Sequence, residues 1–280
     1  MRSGLSVFVV LGIVAALALP PVISAEDANW RQRPSVGEGV STDDISAEID
    51  FGREVSARIL GRYKLYENAA LTRYVNLVGL SLVQNTNRQE LDFHFAILDT
   101  DEINAYAAPG GYIFITKNAL ALVKDEAELA GVLAHEINHV TGKHVVKELN
   151  IRGTEDSPVS GFAQLIGGSS ESARLAFAQA VDKALDMLFK NGYKREDEVQ
   201  ADRGAVLLCA LSGYDPSGLG RYLERIAAAK GKKTEVIDKT HPAIDARVAL
   251  IKSTMTGEGI DGKTLKTNKE RFAEAIKAIK

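Results

Sequence analysis

Cysteine is almost absent from this sequence: Cys209 is the only one among 280 residues. An intramolecular disulfide is therefore excluded, and the apolar setting AVLLCAL indicates a core position rather than a nucleophile. Long blocks of like charge are absent as well, and the formal net charge is only -3. This balance argues against nucleic acid as a partner. The sequence also lacks internal repeats and low-complexity runs.

Apolar runs long enough to cross a membrane are lacking too. The N-terminal run, residues 5–19, is shorter than the roughly 20 residues that a spanning helix needs. It follows Arg2 and precedes a proline pair and the small residue Ala25, which is the pattern of a cleaved secretory signal. We therefore predict a signal peptide at 1–25 and a periplasmic or secreted protein without stable membrane insertion. A retained N-terminal membrane anchor is the alternative.

The rest of the chain has an ordinary globular composition, with 45% apolar and 25% charged residues. Residues 26–44 are aperiodic, so we expect a mobile lead-in. Residues 45–252 carry most of the helix and strand patterns and are predicted to form the functional domain. Residues 253–280 are predicted to form a tail with a short helix that docks through its apolar face.

Histidine is scarce, yet three of the five histidines lie close together within a predicted helix, 126–149. His135 and His139 are four residues apart on one face, where two imidazoles can bind one tetrahedral zinc ion. Glu136 is rotated from His135 by about 100°. It can therefore reach a metal-bound water and act as a general base. This HExxH pattern predicts a metal site; a surface helix with two solvated histidines is the alternative.

The third ligand is not evident from the same helix. His144 would lie about 180° from His135 on a continuous helix, so we expect it on the outer face. The Gly- and Ser-rich segment 152–172 predicts a long loop, which would be placed to form a lid over the site.

Strand patterns precede the HExxH helix. Residues 91–98 alternate like a strand, and Pro109-Gly110-Gly111 predicts a turn between INAYAA and YIFIT. If one of these strands is a sheet edge beside the metal, its free backbone groups can pair with an extended peptide. An ordinary hairpin fits the stretch equally well. The overall prediction is a mostly helical α+β fold with a small antiparallel sheet beside the active-site helix.

A later predicted helix, containing REDEVQADRGAVLLCAL, offers carboxylates. A His–His zinc site lacks such a ligand, and Glu198 is the best candidate. Asp202, one turn further on, is placed to orient an imidazole. Spacing alone leaves Glu196 and Asp197 open as ligands, and an ordinary charged helix face as the alternative.

Four segments of the domain, taken together, resemble metallopeptidase family forty-eight, a gluzincin group with a zincin-like fold. The segments are INAYAAPGGYIFIT, HEINHVTGKH, REDEVQAD and THPAIDAR. The resemblance implies that Glu198 is the third zinc ligand and that Asp202 is the acidic residue that accompanies it. It also implies a substrate-holding edge strand formed by Asn104, Ala105, Tyr106 and Ala107.

The HPxxxxR segment of that family corresponds to His241 and Arg247, and the histidine lies near the metal in some relatives. Either residue could stabilise the oxyanion that forms during peptide hydrolysis.

The sequence therefore predicts an exported zinc metalloendopeptidase that acts on envelope proteins, misfolded or unassembled ones in particular. One Zn²⁺ per chain would be bound by His135, His139 and Glu198, with a water in the fourth position. Glu136 would take the proton of that water and pass it to the leaving amine. One alternative is an envelope assembly or chaperone-like factor whose zinc is occluded by the 152–172 loop or by His241. Another is metal-dependent hydrolysis of a non-peptide substrate.

Overall fold

The computed structural model describes residues 41–153, 171–229 and 235–277. The predicted signal, nearly all of the predicted lead-in and most of the predicted 152–172 loop lie outside these ranges. In chain order the helices are α1 (Thr42–Arg62), α2 (Ala69–Val83), α3 (Lys117–Leu122), α4 (Glu126–Thr141), α5 (His144–Glu148), α6 (Glu171–Asp186), α7 (Arg195–Leu211), α8 (Gly218–Ala228), α9 (Glu235–Thr240), α10 (Ile244–Gly257) and α11 (Lys269–Ile276). The strands are β1 (His94–Leu98), β2 (Ala105–Ala108) and β3 (Tyr112–Thr116). The predicted mostly helical α+β fold is confirmed.

Helix α4 is buried on nearly all sides. Its residues are mostly apolar or small, which is typical of a helix enclosed by other elements. Asp125 caps the first turn by accepting a hydrogen bond from the Glu128 backbone N–H at 2.9 Å. Helix α8 approaches closely at Gly131, where a Cβ atom would lie 2.7 Å from the Leu219 backbone nitrogen. Contacts with α2, α7, α8 and β2 thus fix α4 in place.

The active-site helix ends earlier than the sequence predicts. Lys143 has a φ of 57°, in the left-handed region, and separates α4 from α5. A right-handed helix cannot continue through such a residue, so the chain turns here. The prediction of one continuous helix over 126–149 was wrong for this reason.

The sheet has the order β1–β3–β2, which leaves β2 at an edge. β2 is antiparallel to β3, as predicted for the strands on either side of the Pro109–Gly111 turn. β1 is parallel to β3, with His94 opposite Tyr112. The sheet is therefore mixed, and the prediction of an antiparallel sheet was wrong in this respect. The reason is that β3 inserts between two strands of opposite direction, so it is antiparallel to one and parallel to the other.

One edge of β2 faces away from the sheet. The Asn104 carbonyl accepts a hydrogen bond from the Thr116 backbone N–H at 3.0 Å, and successive residues of an antiparallel strand alternate in direction. Tyr106, two residues further on, therefore also bonds towards β3. The backbone N–H and C=O groups of Ala105 and Ala107 point outward instead.

The sheet lies between two apolar clusters. Alternation along β3 directs Ile113 and Ile115 into one cluster and Phe114 into the other. The first cluster includes side chains from α2, α4, α7, α8 and α10. The second includes α1 and α6, where Phe51 and Phe177 meet edge to face with ring centroids 5.8 Å apart. Packing on both faces holds the short edge strand in place.

The last described helix, α11, packs on the body through the buried Phe272. Its neighbour Arg271 pairs with Glu126 at the start of α4. Glu126 also accepts hydrogen bonds from Tyr74 and Asn268, so the network fixes the first turn of α4. Within the three described ranges, no helix combines the length and the apolar character that a membrane span requires.

Candidate metal-dependent active site

Three side chains from two helices meet in the interior. Helix α4 contributes His135 and His139, and α7 contributes Glu198. The two histidine Nε2 atoms are 3.0 Å apart. Glu198 Oε1 lies 3.5 Å from Nε2 of His139, and Oε2 lies 3.8 Å from Nε2 of His135. The structure therefore brings together the three residues that the sequence analysis proposed as ligands.

The atoms at this meeting point fit a bound cation. Both Glu198 oxygens are buried and make no hydrogen bond within the described part of the chain. A buried carboxylate without a partner is costly, because burial removes its water without replacing it. Two nitrogens on one tetrahedral zinc ion would be about 3.3 Å apart, close to the observed 3.0 Å. Two imidazoles and one carboxylate also match the donor set of catalytic zinc sites.

Asp202 and Arg247 orient His135 from behind. Asp202 Oδ1 lies 2.9 Å from His135 Nδ1, so Nδ1 carries the hydrogen and Nε2 keeps its lone pair. Arg247 donates to both Asp202 oxygens, at 2.7 and 2.9 Å. Its Nη2 atom also lies 3.2 Å from His135 Nδ1 and 3.4 Å from Nε2, but the contact with Asp202, at 2.7 Å, is shorter. Burial alone would raise the pKa of Asp202, but the Arg247 guanidinium and the His135 hydrogen bond hold that pKa well below its usual range.

His139 has an outer partner that the sequence analysis missed. His144 Nδ1 lies 2.8 Å from His139 Nδ1, and His144 Nε2 lies 3.1 Å from Gln200 Oε1. An amide oxygen can only accept, so His144 carries its hydrogen on Nε2 and accepts at Nδ1. His139 is then protonated at Nδ1, which leaves its Nε2 free for a metal. The expectation of His144 on the outer face was wrong, because the left-handed Lys143 turns the chain back and buries it.

The two ligand imidazoles are held in the neutral form. Burial lowers the pKa of His135, and the nearby Arg247 charge lowers it further. Burial and the neighbouring imidazoles lower the pKa of His139 well below its usual range. Neutral imidazole is the form that binds metals. Burial raises the pKa of Glu198 to about 8; a bound cation would oppose this shift, because positive charge favours the carboxylate.

Glu136 faces a cleft beside the ligands. The cleft is lined by Glu136, His135, Asn104 and Ala105, together with apolar side chains of α4, α8 and α9. Only 5% of Glu136 is exposed, and burial raises its pKa to about 8. A carboxyl group with a pKa near neutrality suits a residue that takes up a proton and gives it away.

The beginning of β2 forms one wall of this cleft. Asn104 is 2% exposed, yet its amide makes no hydrogen bond of ordinary geometry with another described residue. Ala105 follows with its backbone groups pointing outward. The Tyr106 side chain does not line the cleft: its ring packs on Phe189 at 4.8 Å, and its backbone pairs with Phe114. It supports the strand from behind, because alternate strand residues face opposite sides.

His241 also lies near the ligands. Its Nε2 atom is 3.9 Å from Glu198 Oε1, and its ring centroid is 5.8 Å from that of His135. The Thr240 hydroxyl lies 2.9 Å from His241 Nδ1. Burial lowers the pKa of His241 well below its usual range. A neutral imidazole is therefore present at the cleft, within reach of a group bound at the metal position.

The other carboxylates that spacing left open do not reach this point. Glu196 is exposed. Asp197 Oδ1 lies 3.8 Å from His144 Nε2, on the outer side of His139. Among the described acidic residues of α7, Glu198 alone faces both imidazoles.

An HExxH helix, a carboxylate from a second helix and a strand edge beside them are the arrangement of a metallopeptidase. The sequence profile described as Peptidase family M48 matches residues 69–255, and the chain belongs to this family. The resemblance carried by the four sequence motifs is thereby confirmed. The chain is accordingly a member of a family of metalloproteases.

Three relatives are similar over much of this chain. The beta-barrel assembly-enhancing protease of Escherichia coli (strain K12) is 29% identical over 248 residues, which cover 85% of this chain and 50% of that protein. The mitochondrial metalloendopeptidase OMA1 of Schizosaccharomyces pombe is 26% identical, over 64% of this chain and 52% of that protein. The metalloprotease YcaL of Escherichia coli (strain K12) is 22% identical, over 74% of this chain and 75% of that protein. The chain thus spans about half the length of the first two relatives.

Proposed function

We propose that the protein is an exported, zinc-dependent metalloendopeptidase that cleaves misfolded or unassembled envelope proteins. The observation that carries the metal assignment is Glu198, whose buried oxygens face two imidazole nitrogens and make no hydrogen bond among the described residues. In this proposal His135, His139 and Glu198 hold one Zn²⁺ per chain. When bound, the ion supplies a lowered pKa for a coordinated water, about 7, and polarises the substrate carbonyl.

Glu136 is the proposed general base. It follows a ligand on the same helix and faces the cleft, so it can accept the proton of the attacking water. It then delivers this proton to the nitrogen of the leaving amine. The pKa of about 8 suits the second half of this cycle, because the protonated carboxyl group is stable in its buried setting.

The outer edge of β2 is the proposed substrate-binding strand. Ala105 and Ala107 direct backbone donors and acceptors outward, which suits an extended peptide. The Asn104 amide, buried at the cleft and without a hydrogen bond of ordinary geometry to another described residue, can bond to a substrate backbone group there. Membership of a peptidase family favours a peptide over the non-peptide substrate that spacing left open.

The proposed oxyanion stabilisers are His241 and Arg247. Both line the cleft beside Glu136. The directed hydrogen bonds of Arg247 go to Asp202, so it contributes mainly positive charge. His241 has an imidazole nitrogen directed towards the ligands, so it is the better placed to contact a developing oxyanion.

Two features support export and an envelope substrate. Residues 1–25 have the pattern of a cleaved signal. The name of the first relative, a beta-barrel assembly-enhancing protease, suggests association with envelope proteins. The proposed division then gives a lead-in at 26–44, the peptidase domain at 45–252 and the tail at 253–280.

Zinc content and cleavage of a denatured protein test the proposal together. We expect about one zinc per purified chain by elemental analysis, and cleavage of denatured casein that stops with a chelator and returns with zinc. Glu198→Ala should lower zinc content, whereas Glu196→Ala, on an exposed position of the same helix, should leave it unchanged. A chain that binds no zinc, or that cleaves casein equally well with a chelator, would contradict the proposal.

The position of His241 favours one other function. At 3.9 Å from Glu198 Oε1, its imidazole is close enough to cover the metal position. An envelope assembly or chaperone-like factor with an occluded, weakly active site would have this arrangement. The two functions predict opposite results for His241→Ala: faster casein cleavage if His241 occludes the site, and slower cleavage if it stabilises the oxyanion.

A further inference from the structure

Tyr193 lies between the ligand helix α4 and the edge strand β2. Its ring stacks on the His139 imidazole, with centroids 3.8 Å apart and planes at 17°. Its hydroxyl donates a hydrogen bond to the Ala107 carbonyl oxygen at 3.2 Å. One side chain thus contacts a proposed metal ligand with its face and the proposed substrate strand with its tip.

The backbone before Tyr193 fixes this position. Gly192 has φ 73° and ψ -177°, a conformation that is essentially restricted to glycine. A Cβ atom there would lie 1.9 Å from the Thr240 carbonyl oxygen. The tyrosine therefore enters the site through a turn that is packed directly against the segment carrying His241.

The hydroxyl of Tyr193 occupies an acceptor on the free edge of β2. The outward groups of this edge are the N–H and C=O of Ala105 and the N–H and C=O of Ala107. A peptide residue that faces Ala105 can exchange two hydrogen bonds with it. At Ala107, two positions further along, the carbonyl already accepts a hydrogen bond from Tyr193, and the ring behind that hydroxyl lies where the N–H of a facing peptide residue would approach.

We propose that Tyr193 ends the peptide-binding edge of β2 at Ala107 and so limits how many substrate residues pair with the strand. The inference rests on the proposed function, since it takes β2 as the strand that binds substrate. The hydroxyl donates a hydrogen bond to the Ala107 carbonyl, which a longer paired peptide would use, and the ring occupies the space beside that carbonyl. Because the same ring stacks on His139, the end of the peptide-binding edge lies at a fixed distance from the proposed metal site. Tyr193 is in this sense a specificity-determining residue.

Peptide hydroxamates test this inference with a binding measurement. The hydroxamate group chelates the metal and fixes the register, and one to five alanines extend from it along the strand. Alanine adds little side chain, so the change in Kd per residue reports mainly backbone pairing. Two series are needed, with the hydroxamate at the carboxyl or at the amino end, because a peptide can run along β2 in either direction. Calorimetry on the zinc-loaded protein gives the affinities.

Single N-methylation of each alanine then shows which peptide N–H groups bond to β2. In the wild type, the residue facing Ala105 should be sensitive, with Kd weaker by about 3- to 10-fold. The residue two positions further, facing Ala107, should change by less than about twofold, because Tyr193 already occupies its acceptor. Equal losses at both positions in the wild type would overturn the inference without any variant.

Two variants separate the ring from the hydroxyl. In Tyr193→Ala the Ala107 carbonyl becomes free, so the second position should become sensitive to N-methylation and longer peptides should bind about 3- to 10-fold more tightly. Tyr193→Phe also frees the Ala107 carbonyl but keeps the ring beside it, so the second position should become sensitive there too, though by less than in Tyr193→Ala. A wild-type pattern in folded, zinc-loaded Tyr193→Ala would refute the inference while leaving the peptidase proposal intact. If no hydroxamate of any length binds the wild type, the zinc-site proposal fails instead, and the inference fails with it.

Discussion

The Nδ1 atoms of His139 and His144 are 2.8 Å apart, so a hydrogen on one of them forms a hydrogen bond to the other. Because Gln200 accepts from the opposite nitrogen of His144, at 3.1 Å, this hydrogen belongs to His139. His139 is thereby fixed as the tautomer with a free Nε2. His135 reaches the same state through a carboxylate, Asp202. The two proposed ligands are thus oriented by different chemical groups, one neutral and one ionised.

Replacing His144 should therefore weaken metal binding although it is not a ligand. In His144→Ala the His139 ring loses the acceptor that sets its tautomer, and zinc affinity should fall by about 10- to 100-fold. Competition with a chelator of known affinity measures this change. The control is His94→Ala, which removes an exposed histidine on β1, away from the site. Zinc affinity as strong in His144→Ala as in the control would contradict the tautomer assignment.

Glu136→Gln should separate metal binding from catalysis. Glutamine has nearly the same shape and cannot take a proton, so zinc content should stay at one per chain. The rate of casein cleavage at saturating substrate should fall by about 10²- to 10⁴-fold, the usual contribution of a general base. Loss of zinc from this variant would indicate a ligand instead, and retained cleavage would exclude Glu136 as the base.

Local spacing was sufficient to predict the part of the site that lies on one helix. His135, Glu136 and His139 follow from the helical repeat of α4. The residues His144 and Tyr193 were missed because each follows a backbone turn that spacing does not reveal: a left-handed lysine before His144 and a left-handed glycine before Tyr193.

Contacts between distant segments were harder to predict. The family pattern indicated Glu198, but the bidentate pairing of Arg247 with Asp202 depends on how α10 packs against α7. Similarly, alternation identifies β1 as a strand without revealing that its neighbour is β3 and that the pair is parallel. Such pairings depend on how segments that are distant in the sequence pack against one another, which a local repeat does not reveal.

The protein treated with a chelator should lose stability as the pH rises from 7 to 8. Burial raises the pKa of both Glu136 and Glu198 from 4.5 to about 8, so in this window the folded state binds more protons than the unfolded state. The free energy of unfolding then falls with increasing pH. The buried histidines have lowered pKa values. They affect the free energy of unfolding mainly below the unfolded-state pKa of 6.5, where protonation favours the unfolded state. They therefore do not reverse the loss of stability between pH 7 and 8.

Thermal unfolding midpoints at pH 7 and pH 8 check this expectation. With zinc bound, the midpoint should change little over the window, because the cation stabilises the ionised carboxylates. Glu198→Gln should reduce the pH dependence of the chelated protein, since one of the two titrating groups is gone. A chelated wild type that becomes more stable between pH 7 and 8 would contradict the burial of these carboxyl groups.

Replacing Gly192 tests how strongly the backbone turn before Tyr193 is coupled to the proposed metal site. Gly192→Ala introduces backbone strain of about 1–3 kcal/mol at its positive φ. It also introduces a clash, since the new Cβ atom would lie 1.9 Å from the Thr240 carbonyl oxygen. Gly213→Ala is the matched control, because Gly213 also has a positive φ, 81°, but open space around the position of a Cβ atom. Denaturant unfolding should show a loss of about 1–2 kcal/mol for the control and a larger loss for Gly192→Ala.

Metal affinity distinguishes general destabilisation from a change at the site. In Gly192→Ala the clash displaces Tyr193 from His139 or the Thr240 segment from the cleft, so zinc affinity should fall relative to the wild type. In Gly213→Ala, at the end of α7, zinc affinity should be unchanged even though the protein is less stable. If both variants bind zinc as the wild type does, the stacking of Tyr193 on His139 is not needed to hold the ligand. Its contribution would then be confined to the edge of β2.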